Sequence, residues 1–345
     1  MEALRLTLVW LALIICGTAP AQIIDLSEQE YKDKVRQFEA LFASAPVQHF
    51  EAQPYQDQAV QLEYKAFRHP EARGSVFIVH GYTGNYYKYQ ELIYDLYQSS
   101  YSVFMFNQRG HGSSYLLKDQ SVYVEDFNHY VEDLKTFVET IRPQAKQPLF
   151  ILGHSVGGAV TTSFLQRYPN LVDGSILSAP MIRIKTTPFP EWLAQIMAKV
   201  AELAGLNTFL APGQELPKDD WNYETANTSS RLRFDYHRST FFRPDLSKMQ
   251  RGGVTVGYIN AAFQGIREIN DDEQIRKMTK PILLLQAELD SWVQNVPQEE
   301  LCERAPQCEL VSIPSSKHEI FLEAESIRNL YLNRILSFLH EQTLI

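Results

Sequence analysis

Three residue types at widely separated positions could together do nucleophilic chemistry: a serine at Ser155, a carboxylate at Glu288 or Asp290, and an imidazole at His318. A serine hydroxyl attacks a carbonyl carbon only when a neighbouring base takes its proton, and a carboxylate that orients the base also stabilises its charged form. Ser155 sits in Gly153-His154-Ser155-Val156-Gly157. A Gly-x-Ser-x-Gly pentapeptide is short enough to arise by chance, so its surroundings must discriminate. Here an apolar run leads into it and a small-residue helix pattern follows, the strand–turn–helix setting that makes the motif a nucleophile elbow. The turn is so tight that the residues two before and two after the serine must lack bulk, which Gly153 and Gly157 supply. The serine is then held in a strained conformation with its hydroxyl above the sheet.

On such a frame the partners follow the serine in the order acid, then histidine, at the ends of later strands. Of the nine histidines, only His318 and His340 lie beyond residue 279, where the strand rhythm resumes. His340 falls in a terminal helix pattern and reads as a solvated helix residue. His318, in the loop "PSSKHEI" after an apolar strand, is the candidate general base. The strand "LLLQAELD" offers Glu288 and Asp290; Asp290, where the chain leaves the strand, is preferred as the acid. A developing oxyanion needs N–H donors. The Val156 N–H, next to the nucleophile, is one candidate, and the Tyr82 N–H in the loop "HGYTGN" is the other. His80, His154 and His111 read as structural residues of their turns and loops.

The elements that must carry these groups are legible as short apolar runs alternating with helical spacing. Strands are expected at 75–81, 102–107, 148–153, 174–180, 281–290 and 308–314, with helices over about 87–100, 127–142, 155–168 and 325–341. This predicts an α/β fold: a mostly parallel central sheet, helices on both faces, and a helical cap insertion over 181–279, where no comparable strand occurs. An insertion there lies over the carboxyl ends of the strands, where open α/β sheets bind ligands. Within it, residues 190–205 place Trp192, Ile196 and Val200 on one stripe, with Leu193 and Met197 beside it. Two readings stay open for that stripe: contact with lipid or a pocket, and packing on the sheet domain.

The 345 residues carry a formal charge of -9 and 45% hydrophobic residues, with no basic run, which argues against a nucleic-acid partner. Residues 1–21 have Arg5, an apolar stretch and Ala19-Pro20-Ala21, and read as a cleaved export signal; an uncleaved N-terminal anchor is the alternative. The mature domain is then 22–345, periplasmic or membrane-associated. Cys302 and Cys308 form a local disulfide or remain two free thiols in a helix-to-strand connection.

Together, "VHGYTGNYYKYQELIYDL", "FNQRGHGSS", "FNHYVEDLKTFVE", "LGHSVGGAV", "TSSRLRFDY", "LLLQAELD" and "SSKHEIFLE" resemble the α/β-hydrolase superfamily. The likeness is greatest to its monoacylglycerol lipase and bacterial lysophospholipase branch (serine aminopeptidase S33-like hydrolases). The resemblance implies Ser155 as nucleophile, Asp290 as acid, His318 as base and Tyr82 and Val156 as oxyanion donors. It also implies a cap over an acyl-chain pocket, a small single-chain lipid ester as substrate, and no metal or organic cofactor. It departs at Asn107, where relatives carry Asp. Esterase, thioesterase or peptidase activity on the same fold, and a non-catalytic binding protein, are the alternatives.

Overall fold

The computed structural model describes residues 23–55, 58–114 and 120–344. The leader read at 1–21 lies outside them. In chain order the elements are α1 (Glu28–Ser44), β1 (Gln48–Tyr55), β2 (Gln58–Phe67), β3 (Gly74–Val79), α2 (Gln90–Gln98), β4 (Tyr101–Phe106), α3 (Phe127–Ile141), β5 (Leu149–His154), α4 (Val156–Arg167) and β6 (Gly174–Ser178). There follow α5 (Glu191–Leu203), α6 (Arg231–Phe241), α7 (Val256–Ile269), α8 (Asp272–Ile275), β7 (Ile282–Ala287), α9 (Val296–Arg304), β8 (Cys308–Ile313) and α10 (Glu325–Thr343).

The eight strands form one sheet in the order β1-β2-β4-β3-β5-β6-β7-β8. The β1–β2 and β2–β4 pairs are antiparallel and the remaining pairs parallel. The inner strands read as unbroken apolar runs because both faces are covered, and the period of two sorts their side chains. Phe77 and Val79 of β3, Ile151 of β5 and Leu284 of β7 join one core with α3, α4 and α7. Val76 and Ile78, Leu152, and Leu283 and Leu285 join the other with α2 and α10. The α/β architecture expected from the sequence is the one observed.

Residues 181–279 connect β6 to β7 and contain α5, α6, α7 and α8. They are not uniform. Helix α7 buries Tyr258, Ala261, Ala262, Phe263, Ile266 and Ile269 in the core that holds α3 and α4. Helix α5 buries Ala198 alone. Its stripe is exposed: Trp192 by 63%, Ile196 by 52%, Val200 by 60%. The stripe is therefore not packed on the sheet domain. Helix α6 is pinned from below instead. Arg233 is wholly buried and pairs with Glu91 of α2, Asp25 and Glu325 of α10. Burial alone would raise the Glu91 carboxyl, but Arg328 and Arg233 hold it well below the usual carboxylate range.

Cys302 at the end of α9 and Cys308 at the start of β8 are joined as a disulfide.

Candidate active site

β5 runs into α4 through Ser155, whose backbone adopts φ 56° and ψ −120°. A non-glycine residue at positive φ is costly and persists only where its surroundings over-determine it. Here the Ser155 N–H donates to the Ser178 carbonyl at 3.1 Å, and the Ser155 carbonyl accepts from Met181 N–H at 2.9 Å, so β6 and its exit hold both ends of the turn. The flanking glycines are required by space. A Cβ on Gly153 would lie 2.4 Å from Thr161 Oγ1, and one on Gly157 would lie 2.2 Å from the Val79 carbonyl oxygen. The elbow thus fits only because α4 starts directly against the end of β3.

His318 reaches Ser155 from the loop after β8. Its Nε2 lies 2.9 Å from Ser155 Oγ, and its Nδ1 lies 2.6 Å from Asp290 Oδ2. A carboxylate only accepts, so Nδ1 carries the proton and Nε2 is left to accept from the serine hydroxyl. The other Asp290 oxygen accepts from the Trp292 and Val293 N–H groups at 2.7 and 3.0 Å, which fixes the carboxylate plane. Ser155, Asp290 and His318 are all buried. Glu288 is turned elsewhere and accepts from Ser315 N–H at 2.6 Å. The structure therefore brings together Ser155, His318 and Asp290, and leaves Glu288 and the exposed His340 apart. An imidazole so placed can take the hydroxyl proton and return it to a leaving group.

Tyr82 and Val156 line the same cavity as Ser155. Among the described residues neither N–H is committed to a hydrogen-bond acceptor, so both can serve a developing oxyanion. The histidines read as structural are hydrogen-bonded and neutral. His80 donates from Nδ1 to the Gly81 carbonyl and accepts at Nε2 from Gln108 N–H, and burial pushes its imidazole down to about 4. His154 accepts at Nδ1 from Tyr89 Oη–H at 2.9 Å and donates from Nε2 to the His318 carbonyl at 3.2 Å. The same Tyr89 oxygen accepts from Gly81 N–H at 3.1 Å. His154 and Tyr89 thus tie the Tyr82 loop, the elbow and the His318 loop together.

Sequence reasoning did not single out Tyr89 or Trp292. The Trp292 ring stacks over His318 at 6.4 Å and 28°, and its Nε1–H donates to Asn227 Oδ1 of the inserted segment at 2.7 Å. A tryptophan two residues past a candidate acid was the available signal.

Ser155 opens on a cavity of about 400 Å³, in the range of small-molecule sites. Its walls are mostly apolar: Met181 and Ile184 after β6, Val256 and Phe263 of α7, and Ala194 and Met197 of α5.

Comparison with known proteins places the chain among proteins of the same fold. Lysophospholipase L2 of Escherichia coli (strain K12) is 29% identical over 301 residues, covering 81% of this chain and 84% of the relative. Monoacylglycerol lipase of Mycolicibacterium smegmatis is 23% identical over 261 residues, covering 74% and 84%. The crystal structure of a soluble variant of monoglyceride lipase from Saccharomyces cerevisiae superposes with a TM-score of 0.66 at 21% identity, over 86% of this chain and 96% of that one. The family model described as serine aminopeptidase, S33 (Hydrolase_4), matches residues 70–325, and on that span the chain belongs to this family of α/β hydrolases.

Proposed function

We propose that the protein is a serine hydrolase that cleaves the carboxylic ester of single-chain lipids, a lysophospholipase or monoacylglycerol lipase. The observation that carries this reading is the position of Ser155 at the floor of an apolar cavity built for an acyl chain. Ser155 Oγ attacks the acyl carbonyl while His318 Nε2 takes its proton. Asp290 holds the imidazole by Nδ1–H and stabilises its charged form, and the Tyr82 and Val156 N–H groups receive the oxyanion. His318 then protonates the departing alcohol, leaving an acyl-enzyme. Water hydrolyses it with His318 again as base. The named activities of the relatives support the same substrate class. An aminopeptidase would need a carboxylate for the substrate ammonium, and the only charged residue among the described cavity walls is Lys185.

The inserted segment acts in this reading as a cap. Its exposed stripe on α5, continued by Leu203 and Phe209, borders the cavity wall and supplies peripheral contact with a lipid surface. The disulfide Cys302–Cys308 supports an oxidising, exported location. The test compares wild type with Ser155→Ala on lysophosphatidylcholine, monoolein and a short-chain ester. Equal activity of the two proteins would remove Ser155 as nucleophile. Activity on the short ester alone would remove the lipid substrate and leave the mechanism.

A further inference from the structure

A second cavity of about 390 Å³ lies on the other side of Trp292 from the acyl cavity, and Trp292 lines both. Its position relative to the chemistry is set by His318. The imidazole that protonates the leaving oxygen requires the alcohol half of the substrate to lie on its side of Ser155. The second cavity opens there: it is walled by Thr83, next to the oxyanion loop residue Tyr82, by Trp292, stacked over His318, and by Glu319, the residue after His318.

Its chemistry differs from that of the acyl cavity. The floor holds an ion pair between Lys88 and Glu319, side chains only 8% and 13% exposed. A lysine ammonium has three donors, and Glu319 engages one of them. Beside Lys88 stands His237, packed against the rings of Trp221 and Phe241; burial and the Lys88 charge keep its imidazole well below its ordinary range, a neutral group. The aromatic faces of Trp221, Phe234 and Phe241 form one side. The rim carries exposed groups of both signs, Glu215, Lys218 and Asp220. A buried ammonium with free donors suits a phosphodiester. Aromatic faces with nearby carboxylates suit an alkylammonium. A glycerol alone uses neither.

We infer that this second cavity is a head-group site for a zwitterionic glycerophosphodiester, with Lys88 as its phosphate ligand. The inference rests on the ester-hydrolase reading above and narrows it from single-chain lipids in general to lysophospholipids bearing an amine. Catalysis then spans two chambers, the acyl chain on one side of Trp292 and the zwitterion on the other.

The test uses the full chain and three substrates with the same oleoyl group: lysophosphatidylethanolamine, lysophosphatidic acid and monoolein. Each is presented at equal mole fraction in nonionic micelles, and kcat/KM is read from oleate release. The expected result is a preference for lysophosphatidylethanolamine of about tenfold or more over each of the other two. Lys88→Gln, and independently Trp221→Leu, should shrink its ratio to monoolein by about tenfold. A ratio is the diagnostic, because a merely loosened loop lowers all three rates together. Wild-type rates equal for all three, or ratios unmoved in both variants, would overturn the head-group site while leaving the ester-hydrolase reading intact. Release of oleate from none of them would overturn that reading itself. Should Lys88→Gln fail to fold, Trp221→Leu and the wild-type series still decide.

Discussion

Two regions that meet at the Ser155 cavity are built in opposite ways. One is β5, the elbow and α4, where every residue from Leu149 to Gln166 is buried and only Ser155 and Val156 reach the cavity. The other is α5, which buries only Ala198 and leaves Trp192, Ile196, Val200 and Leu203 more than half exposed. The first region holds Ser155 at positive φ by packing that leaves no alternative. The second keeps apolar area in water, which a soluble surface does not need. In the proposed function the chemistry falls to the tightly packed region and contact with a lipid surface to the exposed one.

The sharpest way to break the first half of that contrast is Ser155→Ala. The substitution removes the hydroxyl and keeps the turn, so melting should barely change while kcat falls by about 10⁶-fold. A residual rate within tenfold of wild type would mean that the rigid region is only a support. Asp290→Asn should cost about 10⁴-fold in kcat by presenting the wrong tautomer of His318, whereas Glu288→Gln, whose carboxylate meets only Ser315 N–H in the structure, should cost far less. A reversal of those two effects would move the acid.

Besides the buried face of α7, the inserted segment is anchored by Arg233 under α6 and not by the apolar stripe of α5. Arg233→Met leaves Glu91 short of one buried partner, although Arg328 and Lys34 remain. About 3–5 kcal/mol of stability should be lost in urea titration, the cost of breaking a buried pair. A loss below about 1 kcal/mol would show that α7 alone holds the segment to the body.

Acid should weaken the rigid side. Burial lowers the imidazoles of His80, His111 and His154 in the fold, against an ordinary value of 6.5. Below about pH 6.5 the unfolded chain therefore binds protons that the native state refuses, and stability declines as pH falls. Three such groups contribute up to about 4 kcal/mol per pH unit once all have separated. The urea midpoint should accordingly drop between pH 7 and pH 5; a flat midpoint would mean that all three imidazoles take up their protons without unfolding.

The smallest effect on the fold is expected on α5. Trp192→Ser with Val200→Ser should change stability by no more than about 0.5 kcal/mol, as for exposed positions. Sedimentation with phosphatidylglycerol vesicles should nevertheless fall about tenfold or more, because each large apolar side chain contributes about 1.5–3 kcal/mol on burial. Unchanged vesicle binding would remove the contrast between the two regions.

Much of this was readable along the chain, because buried strands and helix faces repeat with periods of two and 3.6 and punctuate themselves with glycine and proline. The strand runs at 75–81 and 148–153 appear as β3 and β5, each within two residues of its expected ends, and the small residues around Ser155 marked its turn. What escaped was pairing at long range. Tyr89 meets His154 across 65 residues, Arg233 meets Glu91 across 142, and Trp292 meets Asn227 across 65. No periodicity encodes such partners.

By itself, then, the sequence determined the sheet, the order of serine, carboxylate and histidine, and the elbow that holds Ser155, since each depends on local sterics or burial of one face. Only the tertiary structure decided between Glu288 and Asp290, joined Cys302 to Cys308, exposed the α5 stripe while burying α7, and placed Trp292 as a wall between an apolar cavity and a charged one. Those outcomes depend on which surfaces meet when the chain closes on itself, and a side chain's hydrogen-bond partner is set by that meeting and not by its neighbours in sequence.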